Sequence, residues 1–435
     1  MKDDDVPEFD AAILGAGAAG LMAAIRASER GRSVVLLEKN RKPGVKILIS
    51  GGTRCNLTNA RGMRNLHAVS GAIDEHYDRR EARGARSIQV AFGANGAFLG
   101  PSLRAFPVET TIEFFEREGV ATYVEGNGKV FPASNRAVDV LAALTGRLAR
   151  SAAILRTNCP CRGIEAVPGG FEIATPMGVV TARRVIVAVG GLSYPGCGTV
   201  GDGFEIARRF GHRIVEPRPA LVPLRVEQSW AGELSGLTLP DARASVVDGD
   251  GTTLMERREA VLFAHFGLTG PAILDVSRAV ARHEGEDRLR LLLDLVPDAK
   301  PESVEAELQR SSRSGRGQVV GMLPDQVPRR LAEIVLAAAE VPAGRIGPEL
   351  SREERRRVVA TLKGLGMSIT GTMGFAKAEV TSGGVALDEV QPETLESRRQ
   401  PGLHFVGEVL DLDGLIGGYN FQAAWSTGWL AGESV

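Results

Sequence analysis

Asp10-Ala11-Ala12-Ile13-Leu14-Gly15-Ala16-Gly17-Ala18-Ala19-Gly20, continued by Leu21 to Arg30, Gly31 and Ser33-Val34-Val35-Leu36-Leu37-Glu38, decides the fold. Ala11–Leu14 reads as a short buried strand, the Ala-rich Leu21–Arg30 as a helix ended by Gly31, and Ser33–Glu38 as a second buried strand. The glycine spacing has a mechanical purpose. Gly15 allows a tight turn, Gly17 lets a pyrophosphate approach the backbone, and Gly20 lets helix and strand pack closely. Ala18 opens the helix, where free N–H groups and the macrodipole favour negative charge. Glu38, 18 residues after Gly20, is placed to accept hydrogen bonds from ribose hydroxyls. Strand, turn, helix and acid together predict a dinucleotide site in an α/β fold.

Two later segments repeat the strand-then-glycine pattern. Arg183–Val189 is a buried strand ending in Gly190-Gly191, and Leu403–Val406 is another, followed by Gly407-Glu408. Ligands of open α/β sheets bind at the carboxyl edge of the strands. Signals at the start, middle and end of the chain predict a long cofactor lying across a discontinuous domain, which favours FAD over NAD.

Composition narrows the function classes. The chain has 435 residues, 43% hydrophobic and 24% charged, so two or three globular domains are expected. Its 53 glycines, about 12% of the chain against a usual ~7%, follow no Gly-X-Y period and belong in turns and close-approach loops. A net charge of −1 removes a whole-molecule electrostatic case for nucleic acid or anionic membrane. The acidic Met1-Lys2-Asp3-Asp4-Asp5 is unlike a signal peptide, and the longest uncharged apolar run, Ala11–Ile25, is too short and Gly-rich to span a bilayer. Four cysteines make no disulfide framework, and Cys159-Pro160-Cys161 lacks zinc spacing, so no metal is expected. A cytoplasmic protein with reduced thiols is the expectation.

Ile49-Ser50-Gly51-Gly52-Thr53-Arg54-Cys55-Asn56-Leu57-Thr58-Asn59 resembles the ISGGGRCNxTN signature of the HI0933-like flavoproteins, also called the BaiN or aminoacetone-oxidase family. Further blocks match in family order. They are Gly190–Pro195 running into Gly201-Asp202-Gly203, Leu262–Pro271, Val380–Val385, and Gly407-Glu408 through Asp411 to Gly417-Gly418-Tyr419-Asn420 and Gln422. Thr53 replaces the third glycine of the first signature and Ala264 the usual Thr before His265, so the Thr53 loop is expected to differ slightly. The resemblance implies an α/β two-dinucleotide-binding-domain flavoprotein with a Rossmann-like FAD domain, an inserted β-barrel domain and a helical cap. Local sequence assigns residues 1–205 and 379–435 to the FAD domain, 206–296 and 366–378 to a β-rich barrel-like domain, and 297–365 to the cap.

The implied activity is FAD-dependent oxidoreduction. It covers NAD(P)H-dependent reduction of activated C=C bonds, in bile-acid-type enones or ribosomal RNA uracil, and amine oxidation. No second GxGxxG occurs, so a nicotinamide donor is expected to reach the flavin only transiently. Ser50, Gly51, Gly52, Arg54, Cys55, Asn56, Thr58 and Asn59 form a polar loop able to wrap the cofactor, with Arg54 on pyrophosphate and Lys46 a weaker candidate upstream. Cys55 reads as a small packed residue rather than a nucleophile. Asp202 is either a helix N-cap or a cofactor contact. The resemblance makes Gly407, Glu408, Asp411, Gly417, Gly418, Tyr419 and Asn420 the second flavin segment, with Glu408 on ribityl or phosphate-linked hydroxyls and a helix starting near Phe421. His265 alone among six histidines sits in a Gly-rich motif, as an acid–base group or a structural hydrogen-bonder. His212 and His404 read as structural. Arg310, Arg313, Arg316, Arg329 and Arg330 are either an exposed polar face or a phosphate-binding surface for ribosomal RNA. A small-molecule substrate is the primary expectation; an RNA-modifying flavoprotein and a non-catalytic flavin-binding regulator are the alternatives.

Overall fold

The computed structural model describes residues 8–64, 72–74, 83–285, 288–314 and 317–435. The acidic start and Arg316 therefore lie outside the described residues. The chain forms two compact units, Met1–Arg218 with Glu379–Val435, and Pro219–Ala378.

In the first unit Phe9–Leu14 lies between Val34–Leu37 and Gly178–Val187, all parallel. Ile154–Arg156 extends the sheet beyond Val34–Leu37, and Leu403–Phe405 pairs with the end of Gly178–Val187, again in parallel. Helices cover a parallel sheet on its faces, so its strands read as unbroken apolar runs, and Val34–Leu37 is buried at every position. On the side away from Phe9–Leu14, Gly178–Val187 has two partners. Its first half pairs antiparallel with Gly170–Thr175, while Val185–Val187 carries the parallel strand.

Register then sets the site. Leu14 faces Leu37 and Val187, and Val187 faces Phe405, so the strands end level. Hydrogen bonds from Gly15 N to Leu37 O (2.7 Å) and Ala188 N to Leu14 O (2.8 Å) hold the departing loops. The helix Tyr419–Ser434 crosses Ala18–Glu29 at glycines. A Cβ on Gly428 would lie 2.2 Å from Ala19 O, and one on Gly432 2.5 Å from Ala23 O.

The second unit holds a closed barrel in the order Leu224–Val226, Gly267–Thr269, Thr253–Ala264, Thr238–Val247, Arg290–Asp294 and Leu365–Thr372. Helices Pro301–Ser314, Arg329–Ala338 and Arg352–Lys363 follow, the last opened by a Ser351/Glu354 capping box. Leu308, Leu331, Val335 and Leu362 of these helices share one hydrophobic cluster with Val246, Phe263 and Leu291 of the barrel. Two helices escaped the sequence reading of this region: the short Trp230–Glu233, and Pro271–Arg282, which interrupts the run of short strands and is started by Gly270 at φ +96° and a Pro at its first position. The first seam between units falls at Arg218 rather than at residue 205, because Phe204 and Ala207 of the helix Asp202–Arg209 are buried in the first unit's core.

His212 and His404 are both buried. His404, on Leu403–Phe405, has Nδ1 3.1 Å from Thr394 O, and burial pushes its pKa down to about 4. A histidine whose folded pKa lies below its unfolded value stabilises the fold at high pH and loses that contribution as pH falls from about 6.5 towards 4. Unfolding free energy from denaturant titrations is expected to drop by about 3 kcal/mol across that window through this group. His404→Asn, which cannot take up the proton, should flatten the slope there.

Candidate dinucleotide site

Gly15 is the turn the sequence demands. Its φ is +95°, and a Cβ would lie 2.7 Å from Ala188 O. Gly20 is tighter still, with Gly15 O 1.9 Å from where its Cβ would be. Glu38 leaves the neighbouring strand and turns back on itself. Its Oε2 accepts from Ala16 N (2.8 Å) and its Oε1 from Asn40 N (2.8 Å), so the buried carboxylate faces the turn.

The signature loop lies against the glycine turn near the carboxyl terminus. Thr58 and Asn59 pair with Val130 and Lys129 of a hairpin, which fixes the loop's course. Asn59 Nδ2 donates to Gly417 O (3.0 Å), and Asn56 accepts from Gly418 N (3.0 Å) in the amide orientation its neighbours require. Thr58 O would be 2.4 Å from a Cβ on Gly418. Gln422 gathers the layer below: its Oε1 accepts from Thr58 and Thr111 hydroxyls, and its Nε2 donates to Phe106 O and Ser426. Asn420 braces the same turn through Gly414, and Asp411 accepts from Asn95 Nδ2 (3.1 Å). Tyr419 is buried, and Gly418, at φ +91°, starts a helix that no side chain caps.

Several assignments change. Arg54 is held by Glu125 (2.9 Å) and lies 3.8 Å over the Phe131 ring, so its charge is compensated within the chain rather than left for a pyrophosphate. Asp202 is not the N-cap. Gly201 holds that position, and Asp202, in the first turn, pairs with Lys39. Thr53 holds φ +68°, the left-handed conformation a glycine adopts readily, beside Gly51 and Gly52. Cys55 is fully buried, and burial pushes its thiol up to about 12, which removes it as a nucleophile. Ser50 bonds back to Ile47 O (2.7 Å).

Glu408 is a clasp. Lys46 Nζ lies 2.5 Å from its Oε2, while its Oε1 accepts from Ser193 Oγ and from Thr381 N (3.1 Å). Lys46 also donates to Ser193 Oγ (2.6 Å), and Thr381 Oγ1 takes the N–H groups of Leu192 and Ser193. Gly191 must lack a side chain here, because Thr381 Oγ1 would lie 2.4 Å from its Cβ; Gly190 and Gly407 have φ of +76° and +70°. Ser193 and Thr381 lie in the matching Gly190–Pro195 and Val380–Val385 blocks but were not named there as site residues. The available signal was a hydroxyl residue just beyond each strand-end glycine pair or strand start.

His265 belongs to the second unit. It sits exposed at the hairpin tip between Thr253–Ala264 and Gly267–Thr269, its ring edge-on to Phe266 (5.0 Å). Of the arginine group, Arg310 pairs with Glu307, Arg329 with Glu333 (3.4 Å), and Arg330 donates to Glu233 O; Arg313 is exposed. No helix among the described residues is long and apolar enough to cross a membrane.

Comparison with known proteins follows the same outline. The model of the HI0933-like protein Rossmann domain matches residues 9–77 and 81–434. The chain is 31% identical to a ribosomal RNA dihydrouridine synthase of Escherichia coli K12, over 98% of either chain. It is also 31% identical to a 3-dehydro-bile acid delta(4,6)-reductase of Clostridium scindens, over 97% of this chain and 98% of that one. A solved 3-ketosteroid-delta4-(5alpha)-dehydrogenase from Rhodococcus jostii RHA1 aligns over 100% of this chain and 98% of its own, with a TM-score of 0.53 at 14% identity, and shares the fold.

The loop geometry gives a direct test. A β-branched residue at positive φ costs about 1–3 kcal/mol, and glycine returns roughly 0.5–1 kcal/mol of that as unfolded-state entropy. Thr53→Gly is expected to stabilise the protein by about 1 kcal/mol in denaturant titrations.

Proposed function

The chain belongs to the HI0933-like family of FAD-dependent oxidoreductases, and we propose that it holds FAD along the carboxyl edge of its parallel sheet and reduces a C=C bond conjugated to a carbonyl. The acceptor is a small molecule, and NAD(P)H is a transient donor. When bound, the flavin supplies a hydride from N5. The chain binds, orients and provides the proton.

The residues present fit the cofactor. A Cβ on Gly17 would meet nothing within 4 Å, which leaves the backbone open on that side. No side chain caps Ala18–Glu29, and no acid stands in its first turn to compete with phosphate. Gly15, Gly17, Ala18 and Gly20 thus take the pyrophosphate, and Glu38 takes ribose hydroxyls on the lone pairs that its backbone bonds leave free. Gly190, Gly191, Gly407 and the uncapped helix start at Gly417-Gly418 serve the flavin end, where a helix dipole favours negative charge. Lys46 and Glu408 lock the walls of this cradle to each other. Ser50–Gly52 contribute backbone, while Asn56, Thr58, Asn59, Asp411, Tyr419 and Asn420 act by holding the turn.

One observation carries the reaction. Two relatives match nearly the whole chain equally well, and their names share one chemistry, the addition of hydrogen across a C=C bond. A ribosomal RNA acceptor is the second reading, supported by the Escherichia coli relative. The arginine group supports it less, since Arg310 and Arg329 already pair with carboxylates that a phosphate would have to displace.

Purified protein is expected to be yellow and to release FAD, not FMN, on denaturation. Glu38→Ala loses one or two charge-assisted hydrogen bonds of about 1.5–3 kcal/mol each, so FAD should bind at least ~10-fold more weakly in fluorescence titrations of the apoprotein. With one glycine fingerprint for two nucleotides, anaerobic stopped-flow reduction should saturate weakly in NAD(P)H, at about −4 to −6 kcal/mol. A micromolar-or-tighter complex would count against the transient-donor reading.

The RNA reading makes a separate prediction. If the arginines hold phosphates, affinity for single-stranded RNA should fall with salt at a slope of about −0.7 per contact, and changing all five to Gln should flatten it. The small-molecule reading expects no RNA retention at physiological salt and unchanged enone turnover in that variant.

A further inference from the structure

Two carboxylates share one ammonium in the Lys46–Glu408 cluster. Lys46 Nζ lies on Glu408, 2.5 Å away, and Glu379 stands close enough to feel both charges. Glu379 is only partly exposed, and its side chain meets the phenol of Tyr194, whose hydroxyl is 3.4 Å from Glu379 Oε1. Lys46 is ion-paired with Glu408, and among the described residues no cation forms an ion pair with Glu379. Burial dominates and favours its protonated form; Lys46 and the Tyr194 bond pull the other way, and the Glu408 charge adds a still smaller push towards protonation. Tyr194 is likewise kept protonated, its pKa pushed up to about 12 by burial and by Glu379, with Cys197 nearby.

Tyr194 is also strained. It follows the Gly190-Gly191 pair at the carboxyl end of its strand and holds φ +52°, a conformation that costs a bulky residue energy. Thr199 Oγ1 fixes that turn by donating to Ser193 O and to Tyr194 O (3.1 Å), and Ser193 is tied to the Glu408 clasp. The chain thus spends backbone strain to hold a phenol at the edge where the cofactor loops converge, and backs it with a half-buried acid to which no binding role is assigned above.

We propose that Tyr194 is the proton donor of the reduction and that Glu379 is the positioning residue that returns its proton. This rests on the reductase reading above. Hydride addition at the β-carbon shifts the C=C pair onto the carbonyl as an enolate; the enolate α-carbon takes the Tyr194 hydroxyl proton. The phenolate left behind takes the Glu379 proton, and Glu379 regains one H+ from the bulk solvent's hydronium or buffer acid, so that one hydride and one solvent proton are consumed per turnover. The two electrons come from reduced flavin, reloaded by the nicotinamide donor.

The test uses FAD-loaded wild type, Tyr194→Phe, Glu379→Gln and His265→Gln, each checked for an unchanged thermal midpoint. Reduced flavin is mixed with 4-androstene-3,17-dione or uridine-bearing RNA, whichever reoxidises the wild type. Tyr194→Phe should slow reoxidation by about 10²-fold or more, while flavin reduction by NAD(P)H is unchanged. Glu379→Gln should remove the limb of the reoxidation pH profile set by the acid. Independently of any acceptor, infrared titration should show a protonated-carboxyl band that titrates above the ordinary glutamate range of about 4.3 and is absent from Glu379→Gln. Wild-type reoxidation rates in Tyr194→Phe, loss in His265→Gln instead, or no such band would each overturn the inference. Failure of both acceptors with wild type would instead overturn the reductase reading, and the proton-donor role with it.

Discussion

The close crossing of the first and last helices is the constraint on which the first unit depends. At Gly428 and Gly432 the C-terminal helix rests directly on the carbonyl oxygens of Ala19 and Ala23, a separation that no side chain at either glycine would permit. That contact joins residues more than 400 positions apart. It brings the turn at Gly417-Gly418 onto the same end of the sheet as Gly15–Gly20. Without it, Leu403–Phe405 would still pair with Val185–Val187, but the loop beyond it would have no fixed height above the strand ends.

Upon that frame the polar groups divide into two kinds. Most hold backbone: Asn56, Asn59, Asn420 and Gln422 spend their hydrogen bonds on carbonyls, N–H groups or hydroxyls of neighbouring segments. Each is buried or nearly so, and a buried amide left unpaired costs about 1–3 kcal/mol. Their role is therefore precision of placement. A second group, Glu38, Lys46, Glu408, Tyr194 and Glu379, retains capacity beyond its internal bonds, through spare lone pairs or a retained proton. The proposed chemistry draws on this second kind.

The sequence made the βαβ unit and its partners legible because each step there is local. Gly15 and Gly20 are demanded by neighbours within a few residues or on the adjoining strand, and Glu38 ends a strand whose apolar run is unbroken. Side-chain pairing was not legible in that way. Arg54 looked free for phosphate, but Glu125 and Phe131, on a hairpin some seventy residues later, engage it. Asp202 looked like a cap because Gly201-Asp202 precedes a helix; only the fold brings Lys39 to it. Thr53 shows the converse. Local preference argued against positive φ, yet Thr53 takes it within a tight loop closed by Cys55 N on Ser50 O. The Pro271–Arg282 helix was hidden for a related reason, since its short apolar stretches resemble barrel strands until the Gly270-Pro271 start is recognised as a helix opening.

The Lys46 cluster illustrates why an ion pair at such an edge is more than a brace. A lone Lys–Glu pair of this exposure contributes little to stability, because water screens both groups and ordering them costs entropy. Here the ammonium has a second effect through what it leaves unpaired. By lying on Glu408 it fixes three segments, those of Lys46, Ser193 and Thr381, and at the same time withholds full compensation from Glu379. One arrangement thus sets both the rigidity of the cradle and the protonation of its neighbour, so the two cannot be tuned separately. A substitution at Lys46 would loosen the loops and, by removing a positive charge that acts on Glu379, raise its proton affinity further.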